Sequence, residues 1–91
     1  MIDYNRIPPR TLETLQAWID TGRPMGSFCE AVVCNDLLRA VTCADEENRR
    51  ALADTVAWMS NNAPPACWGS FTNFERWSRH KRELLLHGAG R

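Results

Sequence analysis

Pro64-Pro65-Ala66-Cys67-Trp68-Gly69-Ser70-Phe71 is the segment that most restricts what this chain can fold into. Two successive prolines stop an incoming helix, because each fixes φ and neither can donate a backbone N–H. Gly69 opens a turn conformation closed to larger residues, and Ser70 is suited to cap a helix that follows. Helical periodicity lies on both sides of the segment, so it predicts a rigid joint between two helices. An aromatic ring, Trp68, sits inside that joint.

Ninety-one residues make one domain, spanning residues 1–91, with a core that must be efficient for its size. Apolar residues are 44% of the chain and charged residues 24%, a balance that argues against global disorder. Eleven basic side chains offset eleven acidic ones, so attraction to nucleic acid or membranes has to come from a local patch. No run approaches the roughly 20 apolar residues of a membrane span, and Met1-Ile2-Asp3-Tyr4-Asn5 lacks the basic and apolar regions of a signal peptide. The expectation is a cytoplasmic protein without a membrane partner. Cys29, Cys34, Cys43 and Cys67 contain no Cys-x-x-Cys pair, and their spacing to His80 and His87 supports no zinc site. Reduced thiols, no metal and no cofactor are therefore expected.

Apolar spacing and capping residues divide the chain into an all-α, compact bundle of about four helices. Pro8-Pro9 opens the first, in which Leu12, Leu15 and Ile19 share a face with Trp18 at its edge, and Thr21-Gly22-Arg23-Pro24 ends it. Ser27-Phe28-Cys29-Glu30 has the spacing of a capping box and starts a second helix over residues 28–42. Ala31, Val33, Cys34, Leu37, Leu38, Ala40 and Val41 cover most of its circumference, which predicts a central helix enclosed by the others. Asp45 caps a third helix running to about Asn61, with Leu52, Val56 and Met59 inward and an outer Arg50–Asp54 pair. The fourth extends from Phe71 to Leu86, with Phe71, Phe74, Trp77, Leu84 and Leu85 on its inner face. Short connections favour antiparallel neighbours.

Few side chains suggest chemistry. Asn35-Asp36 places an amide and a carboxyl in an apolar helix. With Ser70 they form a candidate structural polar site, either bonding to backbone of the Trp68-Gly69-Ser70 joint or pairing Asp36 with Arg39. One aspartate is not a mechanism, and no nucleophile elbow, phosphate-binding glycine loop or His-Glu-x-x-His is present; the protein reads as a non-enzyme. Arg76, Arg79 and Arg82 carry the strongest local positive charge, diluted by Glu75 and Glu83, and are candidate partner contacts. The tryptophans are expected to pack the core; Trp68, in the joint, and Trp18, at a stripe's edge, are the two that could instead anchor a partner.

Several ordered blocks carry a resemblance: Pro24-Met25-Gly26-Ser27-Phe28, Ala31-Val32-Val33-Cys34-Asn35-Asp36-Leu37, Ala44-Asp45 with Asn48, and Ala63-Pro64 with Cys67-Trp68-Gly69-Ser70 and Trp77. Together they cover most of the chain, which resembles a family of small proteins encoded by bacteriophages and prophages. The resemblance implies expression in the cytoplasm of a bacterial host. By analogy with other small phage proteins, it implies binding to a host protein, as an anti-CRISPR-like inhibitor of host defence or a host-takeover adaptor. The alternative is a nucleic-acid-binding or regulatory module that uses the basic last helix. A homodimer would bury leftover apolar surface.

Overall fold

Pro8 and Pro9 set the first helix going, as their missing N–H groups cost nothing in a first turn. The computed structural model describes residues 1–89 and contains six α-helices and two short 3₁₀ turns. The helices are α1 (Pro9–Thr21), α2 (Ser27–Val33), α3 (Leu37–Cys43), α4 (Glu46–Arg50), α5 (Leu52–Asn62) and α6 (Phe71–Ala89). The 3₁₀ turns are Tyr4–Arg6 and Pro65–Cys67, and no strand occurs among the described residues. The all-α class holds, but two of the four expected helices are each broken in two. Side chains beyond Leu86, His87 included, lie outside the described residues.

The expected helix over residues 28–42 breaks at Asn35, whose φ of 58° is the left-handed conformation. The Asn35 N–H donates to the Val32 carbonyl at 3.1 Å and the Asp36 N–H to the Ala31 carbonyl at 2.9 Å, the paired bonds that close a helix C-terminus. Asparagine tolerates this conformation better than most residues. Asp36 then caps α3, its carboxylate accepting from the Arg39 N–H at 3.2 Å. The consequence is a change of direction. In α2, Phe28, Cys29, Ala31, Val32 and Val33 are buried, whereas in α3 only Ala40 is. The enclosed central helix is therefore α2 alone. The start of α2 is also simpler than expected: Gly26 occupies the N-cap position, with no side-chain cap bond from Ser27.

The expected helix from Asp45 bends at Ala51, whose φ of −99° and ψ of 11° separate α4 from α5. Asp45 does cap α4, accepting from the Asn48 N–H at 2.8 Å. The bend carries Arg50 away from α5, so it pairs back to Glu46 at 2.7 Å instead of forward to Asp54. Asp54 is 4% exposed and accepts a hydrogen bond from the Asp3 N–H at 2.7 Å, tying the N-terminal segment to α5. Met59 and Thr55 fill the buried face of α5, while Val56, expected inside, is exposed.

Trp18 is the centre of the core. It is 1% exposed, stacks on Phe74 with ring centroids 5.0 Å apart, and donates its indole N–H to the Cys67 carbonyl at 3.0 Å. Gly22, at φ 69°, ends α1 and donates to the Trp18 carbonyl. α6 crosses α1 so closely there that a Cβ on Gly22 would lie 2.6 Å from the Lys81 Cβ. Past this crossing α6 leaves the body: Leu84, Leu85 and Leu86 are exposed, as is Phe71 at its start. The expected inner face of α6 thus reduces to Phe74 and Trp77, both partly buried against the core. The projection shows in the dimensions, 46 × 23 × 20 Å, and in a Cα radius of gyration of 13.4 Å. A compact chain of this length has about 12 Å.

Candidate interaction surfaces

The joint after α5 is built as a polar hinge point with its groups satisfied internally. Pro64 and Pro65 end α5 and lead through the 3₁₀ turn to Cys67, which is fully buried. Gly69, at φ 96°, donates its N–H to the Val33 carbonyl at 2.7 Å, so the joint is bonded directly to the end of α2. Ser70 caps α6, its hydroxyl oxygen accepting from the Asn73 N–H at 3.0 Å. The Asn73 amide donates to the Trp68 carbonyl at 2.8 Å and to the Pro65 carbonyl at 3.4 Å. Asn35 and Asp36 follow Val33 directly, yet their side chains make no hydrogen bond to the joint among the described residues. Their work is local: Asn35 reverses the chain and Asp36 caps α3. Asn73 is the group that sequence reasoning missed. Its place three residues after Ser70, in the first turn of α6, is the signal that a side chain there can reach back to the joint.

Two of the expected partner contacts are covered to different degrees. Trp18 is sealed beneath α6 and cannot anchor a partner, because the Trp77 indole N–H binds its carbonyl at 3.1 Å and Phe74 covers its ring. Trp68 is partly buried and packs against the core. Arg76, Arg79 and Arg82 are exposed along α6. Among the described residues the ion pairs are Arg6–Asp3, Arg39–Glu30 and Arg50–Glu46, and none involves these three arginines. Lys81 behaves differently: its ammonium lies over the Trp77 ring, 4.8 Å from the centroid, on the body side of the helix.

The surface that periodicity did not reveal is α3. Leu37 is 70% exposed and Leu38 76% exposed, with Val41 beside them at the surface. Leu37 also forms one wall of a cleft where α2, α3 and α5 meet, whose other apolar walls are Ala31, Val32, Ala40, Leu52 and Val56. The helix is held firmly at both ends: Asp36 caps its start, and the Arg49 guanidinium donates to the Val41 and Ala44 carbonyls at 3.4 and 3.2 Å at its finish. Glu30 pairs with Arg39 at 3.6 Å and fastens α3 to α2. A fixed helix presenting leucines outward is a surface ready to meet another apolar surface without further ordering.

Thiol chemistry is suppressed where the cysteines are buried. All four are free. Burial pushes the Cys29 thiol up to about 11, away from the thiolate needed for nucleophilic attack or metal ligation. Burial also raises Cys34, helped by the neighbouring Glu30 carboxylate, and it raises Cys67. Among the described residues no three His, Cys, Asp or Glu side chains are grouped to hold a metal ion, and no helix is long and apolar enough to cross a membrane. Compared with the profiles of known protein families, with curated proteins and with solved structures, the chain matches none.

Proposed function

We propose that this protein is a small non-enzymatic module of the phage type that binds a protein of the bacterial host, with α3 as the apolar anchor of the contact. An inhibitor of host defence or a host-takeover adaptor is the role the resemblance implies. The observation that carries the binding reading is the pair Leu37 and Leu38, 70% and 76% exposed on a helix whose ends are both fastened. Single exposed leucines are ordinary, but adjacent ones continuous with Val41 and an apolar cleft are the pattern of a protein contact. A second reading, binding of nucleic acid, is favoured by the exposure of Arg76, Arg79 and Arg82 along α6 without an intramolecular carboxylate partner among the described residues.

The two readings separate in one experiment. Tagged parent protein and a Leu38→Glu variant are used to capture host proteins from nuclease-treated bacterial lysate. A stoichiometric protein retained by the parent and lost by the variant, with the variant's helical circular dichroism unchanged, is the expected result. Capture only from untreated lysate, together with DNA or RNA affinity that falls steeply with salt, would overturn it in favour of the nucleic-acid reading.

A further inference from the structure

The sequence of α6 has a twofold pattern that its own fold leaves unused. Glu75 and Arg82 lie seven residues apart, and four residues beyond them on either side stand Phe71 and Leu86. Reversing the helix about the point between Ser78 and Arg79 therefore exchanges Phe71 with Leu86 and Glu75 with Arg82. With Ser78 between them, these positions recur at steps of four and three residues, the spacing of a seam where one helix packs along another. All four are exposed: Phe71 is 56% and Leu86 69% accessible, and neither Glu75 nor Arg82 joins an ion pair among the described residues. The seam runs along the flank of α6 beside the body side defined by Phe74, Trp77 and Lys81, and its middle positions Ser78 and Arg82 line an open cleft with Thr21, Gly22, Arg23 and Pro24.

We propose that a second copy of this chain packs against that flank, the two α6 helices running antiparallel about a twofold axis near Ser78. Each Glu75 then faces the partner subunit's Arg82, and each Phe71 faces the partner subunit's Leu86. The pairing is self-complementary in charge and in apolarity at once, which is what an isologous contact requires. A parallel arrangement sets Glu75 against the partner's Glu75 and Arg82 against the partner's Arg82, and is disfavoured by both repulsions. The projecting end of α6 supplies the reach: nineteen residues span about 28 Å, so Leu86 of one copy arrives at the start of the other copy's helix. This inference is independent of the α3 surface.

Sedimentation equilibrium of the whole protein tests it, with circular dichroism as the check on folding. The parent is expected at twice the 10.4 kDa of one chain. Glu75→Arg and Arg82→Glu alone each oppose like charges and are expected to weaken the dimer by about tenfold or more. The double exchange, Glu75→Arg with Arg82→Glu, restores opposite charges and is expected to return dissociation to near the parent value. A monomeric parent, a dimer indifferent to Glu75→Arg, or a double variant as weak as the single ones overturns the proposal.

Discussion

Gly22 and Gly69 both hold positive φ, yet they do different things. A methyl group on Gly69 meets nothing within 4 Å, so Gly69→Ala carries backbone strain alone, about 1 kcal/mol. A methyl group on Gly22 adds a collision with the Lys81 Cβ at 2.6 Å, an atom next to the α6 backbone that cannot swing aside. Gly22→Ala should therefore cost more, about 2 kcal/mol or above, as α6 shifts from its seat over Trp18. Urea midpoints of the two variants check this; a Gly22→Ala midpoint at or above that of Gly69→Ala would show that the crossing is not tight. The same residue scale explains why the sequence sets Trp18 at the edge of its stripe rather than at the centre of the core. Periodicity within α1 sets it at the edge of the Leu12, Leu15 and Ile19 stripe. It becomes central only because Phe74 and Trp77, more than fifty residues later, are laid across it at Gly22.

At the scale of elements, what was legible was punctuation. Pro9, Gly22, Asp45 and Ser70 mark real helix ends because each acts through its own backbone or the next turn, a chemistry contained in a few residues. The break at Asn35-Asp36 was hidden by the apolar residues on both sides, whose helical spacing continues through it. Asn35 and Asp36, which the sequence places as an amide and a carboxyl within one apolar helix, are a stop and a start. The bend at Ala51 leaves no local trace, since alanine is the best helix former. Whether an apolar face is covered is also not local, which is why Leu37, Leu38 and Leu84 were expected inside. The boundary between α2 and α3 can be tested directly. Asp36→Ala should destabilise the protein by about 0.5–2 kcal/mol through loss of the cap, and Asn35→Gly should be tolerated because glycine takes the left-handed turn without strain. Thermal midpoints would contradict this assignment if Asn35→Gly were the more damaging change.

The molecule as a whole is a body of five helices with a sixth that is half seated and half projecting, and its stability should depend on alkaline pH through the buried thiols. Cys29 is raised from 9.0 to about 11 in the fold by burial. Its neutral form is favoured in the native state, so the contribution is complete below pH 9 and is lost as pH rises through 11. The size is about 2–3 kcal/mol for two pKa units. Denaturant unfolding between pH 8 and pH 11 should show falling stability for the parent, with a shallower fall for Cys29→Ala; parallel profiles would place Cys29 outside the core.

The seat of Trp18 has a further consequence, for synthesis. Its partners are the Cys67 carbonyl and the rings of Phe74 and Trp77, contacts that span 49 to 59 residues of chain. Asp3, which leaves the ribosome first, waits 51 residues for the Asp54 carboxylate, a contact that α5 completes. A nascent chain holding only α1 to α5 has made the helices but has nothing to lay over the indole. These contacts of Trp18 are therefore delayed until α6 has cleared the ribosome, and a translating ribosome paused before the joint at Pro64-Pro65 would carry a chain whose Trp18 indole still lacks its hydrogen-bond acceptor and its stacking partner.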